Sequence, residues 1–151
     1  MTPLPSEKSN MKPTFDTYYN YAQLNDVLAT LAAEHPAIMQ LAVFGKSHEG
    51  RDIPLVILTN RETGPDLEKP AFYVDGNIHA TELTGSMAAL MFINRLVTGY
   101  GADPKVTRVL DQGVVYVVPR LNPDGAELAL ADKPRYIRSG ARPYPLADRQ
   151  D

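Results

Sequence analysis

Residues Leu83 to Val97 leave a helix almost no polar face: Met87, Ala88, Ala89, Leu90, Met91, Phe92, Ile93, Leu96 and Val97 all fall inside the run. Such a helix is stable in water only when neighbouring structure covers most of its faces, so the chain must build a layer for it to lie on. Two flanking runs can supply that layer. Ala71 to Val74 reads as a buried strand, and the β-branched run Val114 to Val118 has the look of a central strand.

Between the first of these strands and the helix lies Asp75-Gly76-Asn77, which is turn chemistry, with helical character starting near Thr81. His79 and Glu82 sit at this junction, three residues apart. Near a helix start that spacing puts an imidazole and a carboxylate about one turn apart on one face, where both can reach a single ion. The plainer reading is a polar strand end followed by a glutamate favoured by the helix dipole. The placement favours a site, because α/β sheets put their sites beyond the C-terminal ends of strands.

The remaining chain reads as a platform for this junction. Residues 1–14, with three prolines, read as a flexible leader. Leu24, Val27, Leu28, Leu31 and Ala32 make one buried helical stripe, with Asn20 and Gln23 at capping-box spacing and His35-Pro36 as the stop. Met39 to Phe44 and Ile53 to Leu58 read as an antiparallel hairpin around a polar insert. Pro54 places the second strand at an edge, since it cannot donate to a ladder. Asp103-Pro104 opens a short helix through Leu110. Arg120 to Gly125 reads as a loop, with Asn122-Pro-Asp-Gly125 its turn. The final portion, from Ala131, is rich in Pro and Arg, and Arg135, Arg138 and Arg142 offer either a solvated face or anion recognition. His48, in the hairpin loop, and His35, at a helix end, read as surface residues. Helices alternating with strands, plus a hairpin, predict an α/β fold: a mixed β-sheet flanked by helices in three layers.

Composition narrows the function classes. The 151 residues suffice for one domain, and a net charge of −3 leaves no footprint for nucleic acid or an anionic membrane. There is no cysteine, so disulfides, thiol catalysis and Cys-held zinc are excluded, and any metal must be held by His, Asp or Glu. The N-terminus lacks the plan of a signal peptide, and no apolar run is long enough to span a bilayer; a cytoplasmic protein is the expectation.

Four segments in order, Glu49-Gly-Arg-Asp-Ile-Pro54, Gly76-Asn-Ile-His79-Ala-Thr-Glu82, Pro119-Arg-Leu-Asn-Pro-Asp-Gly125 and Arg135-Tyr-Ile-Arg138, together resemble the zinc carboxypeptidases of the carboxypeptidase A/B type. The resemblance spans about residues 20–142 and implies that residues 15–151 are the N-terminal part of a zinc-carboxypeptidase-like catalytic domain. It implies Zn2+ as cofactor with His79 and Glu82 as two of three ligands, and a peptide substrate bearing a C-terminal carboxylate. Arg138 takes the place of the arginine that stabilises the oxyanion, with Arg135 as rival because the alignment needs a length change after the Asn-Pro-Asp-Gly turn. The family's third ligand, a downstream histidine, has no counterpart, and its catalytic glutamate is expected beyond Asp151; the chain alone is then inactive. Thr81 stands where the digestive members carry arginine, so their specificity does not transfer. A non-catalytic binding module keeping this scaffold, or a related zinc amidase or deacylase, is the alternative. His48 or His35 as the missing ligand is a third. A sheet shortened in this way would expose Val114 to Val118 as an open apolar edge, a route to self-association.

Overall fold

The structure, a computed structural model, describes residues 11–140, so most of the expected leader, residues 1–14, lies outside the described residues. Strands β1 (Met39–Lys46) and β2 (Asp52–Leu58) form the expected antiparallel hairpin. Strands β3 (Ala71–Asp75) and β4 (Val114–Val118) run parallel, and β4 also pairs antiparallel with β2. Among the described residues the result is a four-stranded mixed sheet in the order β1-β2-β4-β3. Parallel neighbours need a long crossover, and α2 (Leu83–Gly99) and α3 (Pro104–Gln112) provide it.

Local chemistry explains the helix boundaries. Helix α1 (Tyr21–Glu34) opens on a reciprocal capping box: the Gln23 N–H donates to Asn20 Oδ1 and the Asn20 N–H to Gln23 Oε1, both at 2.9 Å. It stops at His35, before Pro36. Asp103 caps α3 by accepting from Lys105 N–H at 2.9 Å, and Pro104 fills the first turn, where its missing N–H costs nothing. The Asn122 segment repeats that chemistry. Expected as a turn, it opens a helix, α4 (Pro123–Leu130), in which Asn122 is the N-cap and Pro123 stands at the start.

Leu24, Val27, Leu28 and Leu31 of α1 join Leu90, Ile93 and Val97 of α2 and Leu110 of α3 over Val56, Leu58, Val115 and Val117, forming the main core on one face of the sheet. The opposite face carries a smaller cluster of Ala42, Leu55, Ile57, Val114 and Val118.

Four expectations are corrected. β2 is not an edge strand: Pro54 faces Val43 at a register shift, and β2 pairs with β4 only from Val56 to Leu58, so the missing N–H falls outside that ladder. Val114 to Val118 is not an open edge either, because β2 and β3 flank it and its Val residues are buried. Among the described residues the edges are β1 and β3, and β3, expected as buried, leaves Phe72 and Tyr73 60% and 48% exposed. α2 is also less enclosed than its composition implies, for Ala88 and Met91 face an open groove shared with Phe15 and Tyr18.

Candidate metal centre

The loop from Gly76 to Glu82 leaves the C-terminal end of β3 and enters α2. Gly76 N–H donates to Val118 O at 3.0 Å and Leu121 N–H donates to Gly76 O at 2.9 Å, which extends the β3–β4 pairing past the strand ends. Glycine is required at 76 by a close approach, since a Cβ there would lie 2.5 Å from Gly85 O. Asn77 follows with φ 58, a left-handed conformation that Asn tolerates better than most side chains. It is 3% exposed, and its Nδ2 donates to His79 O at 2.8 Å and Ala80 O at 3.1 Å. Asn77 Oδ1 is buried with no hydrogen-bonding partner among the described residues.

Asn77 thus shapes the turn that presents His79 and Glu82. His79 Nδ1 stands 3.0 Å from both Glu82 oxygens. The pair meets through one hydrogen-bonded turn, Glu82 N–H to His79 O at 3.1 Å, rather than through a turn of helix as the spacing implied. Glu82 is the α2 N-cap residue, yet its side chain makes no capping bond, so the carboxylate is free to face the imidazole. The two side chains are 34% and 52% exposed, which leaves the pair open to solvent and ligands.

These donors suit zinc. An imidazole nitrogen and a two-oxygen carboxylate are ordinary Zn2+ ligands, and two ligands of a tetrahedral zinc stand roughly 3.3 Å apart. A small opening of the observed pair would admit the ion. No third His, Cys, Asp or Glu joins them among the described residues, so neither His35 nor His48 completes the set.

Arg138 is exposed, but its backbone carbonyl accepts the Ala80 N–H at 3.0 Å, one residue from His79. Arg135 is also exposed and is tied by its N–H to Leu128 O at 2.9 Å, at the far end of α4. Arg142 lies outside the described residues.

Sequence reasoning missed three supports. Asn122 Oδ1 accepts the Gly125 N–H at 3.0 Å, while its Nδ2 donates to Ile78 O at 3.3 Å and Ser139 O at 3.0 Å. Asp124, 3% exposed, accepts from Ser47 Oγ at 2.7 Å, Glu49 N–H at 2.9 Å and Arg51 Nη1 at 2.7 Å. Burial pushes the Asp124 carboxyl up, but the Glu49, Ser47 and Arg51 donors and the Arg51 charge outweigh it and hold the group below the usual carboxylate range. Arg51 in turn is raised by its bonds to Glu49 and Asp124. Arg120 is almost fully buried between the residues before α1 and the first turn of α2, with Nη2 donating to Tyr19 O at 2.8 Å and Nε to Ser86 Oγ at 3.3 Å. Burial lowers its pKa to about 10, offset in part by Glu127 at 4.0 Å. The Asn-Pro signature alone could have exposed the first of these, as the cap of a helix.

Comparison with known proteins places the fold and the loop in context. Rattus norvegicus carboxypeptidase A2 is 33% identical over 74% of this chain, and Mus musculus carboxypeptidase Z is 30% identical over 85% of it. The matched regions are 25% and 20% of those relatives' lengths, so the chain corresponds to a minor part of each. The solved carboxypeptidase A of Helicoverpa armigera superposes with a TM-score of 0.74 at 26% identity, covering 93% of this chain and 34% of that one. The zinc carboxypeptidase family model matches residues 24–145, most of the chain and the whole of the His79–Glu82 loop, and the chain belongs to the zinc carboxypeptidase family.

Proposed function

We propose that residues 15–151 supply the N-terminal part of the catalytic domain of a zinc-dependent carboxypeptidase, which hydrolyses the C-terminal bond of a peptide or peptide-like substrate. The observation that carries this reading is the convergence of His79 Nδ1 on both Glu82 oxygens at 3.0 Å, in a loop within the family match. His79 and Glu82 would hold Zn2+, which supplies a Lewis acid for the scissile carbonyl and activates water in its open coordination position. Arg138 would present planar paired donors to the carbonyl oxygen as negative charge develops there, with Arg135 as the rival for that role.

No histidine follows His79 in the 151 residues. With two protein ligands and no identifiable general base, this chain by itself is expected to bind zinc weakly and to leave peptide substrates intact. Calorimetric titration with Zn2+ checks the first point: His79→Ala and Glu82→Ala should each abolish the binding heat. Submicromolar affinity, or release of a C-terminal residue by the 151-residue chain, would overturn the two-ligand account. Zinc binding that survives both substitutions would instead favour a scaffold whose role is binding through other surfaces.

A further inference from the structure

We infer that Asn122 is a positioning residue that couples the metal-ligand loop to the segment bearing Arg138, so that the two parts of the proposed site are set in place together. The inference rests on the reading of His79, Glu82 and Arg138 given above.

The Asn122 amide has one acceptor and two donors, and all are engaged. Oδ1 takes the Gly125 N–H, which caps α4. Nδ2 serves the carbonyls of Ile78, the residue before His79, and Ser139, the residue after Arg138. The orientation is fixed by chemistry: a flipped amide would set its oxygen against two carbonyl oxygens and its NH2 against the Gly125 N–H. The Asn122 backbone N–H adds a bond to Asn77 O at 3.1 Å, and Ala80 N–H bonds directly to Arg138 O. Residues 131–140 contain no helix or strand; the Arg135 N–H ties the stretch to α4, and the bonds to Arg138 and Ser139 tie it to the loop.

Capping alone does not require this side chain. Asp103 caps α3 with a carboxylate that has no donor. At position 122 the donor face of the amide is turned towards two chain segments that are 44 and 17 residues away in sequence. The packing beneath is equally close, since a Cβ on Gly125 would lie 2.5 Å from Ala80 Cβ. The N-terminus of α4 is therefore in contact with the ligand loop itself, and Asn122 extends that contact outwards to Ser139.

The test uses the 151-residue chain and two NMR readouts, with Asn122→Asp as the informative variant. Aspartate caps a helix as well as asparagine does, but it places an oxygen where Nδ2 donates. Hydrogen exchange at the Ala80 amide is expected to rise about tenfold or more, with the amides of α2 and β4 unchanged. Zn2+ titration of the wild type is expected to shift the His79 imidazole and the Arg138 amide resonances together. In Asn122→Asp, His79 should still respond and Arg138 should not. Unchanged Ala80 exchange, or a wild-type Arg138 resonance indifferent to zinc while His79 shifts, would overturn the coupling and leave Asn122 a plain cap. If Asn122→Asp fails to fold, Asn122→Ser gives the same decision, because serine caps but is too short to reach both carbonyls. A wild-type His79 that ignores zinc would sink the metal assignment, and the metal-free Ala80 exchange would then decide the coupling on its own.

Discussion

Three donors from the β1–β2 loop converge on Asp124, and together they keep a buried carboxylate charged. Because its pKa is lowered on folding, the stability it confers is fully present above the ordinary carboxylate pKa and is lost as pH falls through the lowered value. Urea midpoints for wild type and Asp124→Asn should therefore run parallel from neutrality to about pH 5 and draw together below about pH 4. Asp124→Ala leaves the Ser47 hydroxyl and the Glu49 N–H without their acceptor and Arg51 with Glu49 alone, and should cost about 2 kcal/mol in urea unfolding at pH 7. At this scale the sequence was only partly legible. His79 and Glu82 could be picked out because short spacing brought them together. Asn77, Asn122 and Asp124 could not, because most of their partners are backbone groups or side chains from remote segments that only folding brings near.

Elements meet around the site through small residues. Gly76 lies under the first turn of α2, where an added Cβ would sit 2.5 Å from Gly85 O and 2.8 Å from Gly85 C, both backbone atoms that cannot rotate away. Gly76→Ala should push the helix start, and Glu82 with it, off the strand end, at a cost of about 2 kcal/mol by thermal unfolding and with loss of zinc-binding heat. Asn20→Ala, at a cap whose bonds go to Gln23 rather than to the loop, should cost about 1 kcal/mol and leave zinc binding unchanged, so the pair separates local geometry from general stability. Helix α1 and the hairpin were readable because a capping box, an apolar stripe and glycine-flanked turns act over short range. Helix α4 was missed although Asn122-Pro123 carries the same signature as Asp103-Pro104. Asp124 and Gly125 in its first turn, both poor helix formers, masked the start.

For the whole molecule, the sheet order was the least legible feature. β3 and β4 are both short apolar runs, and nothing within either says which lies inside. Pairing decides it: β4 has two strand neighbours among the described residues and β3 has one. The free side of β3, with Phe72 and Tyr73 exposed and no Pro or Lys within the strand, lacks the usual protection of an edge. The chain should therefore show concentration-dependent association in sedimentation velocity, and Phe72→Lys should shift it towards monomer; a monomeric wild type at high concentration would contradict this. The position of β4 also sets a timetable for biosynthesis. A nascent chain extruded through Gly113 has a hairpin and a separate strand but no sheet to join them, and Gly76 still lacks Val118 and Leu121 as partners. On stalled ribosomes, the segment around His79 should be cut readily by protease until β4 and the start of α4 have cleared the exit tunnel, and should resist cleavage afterwards.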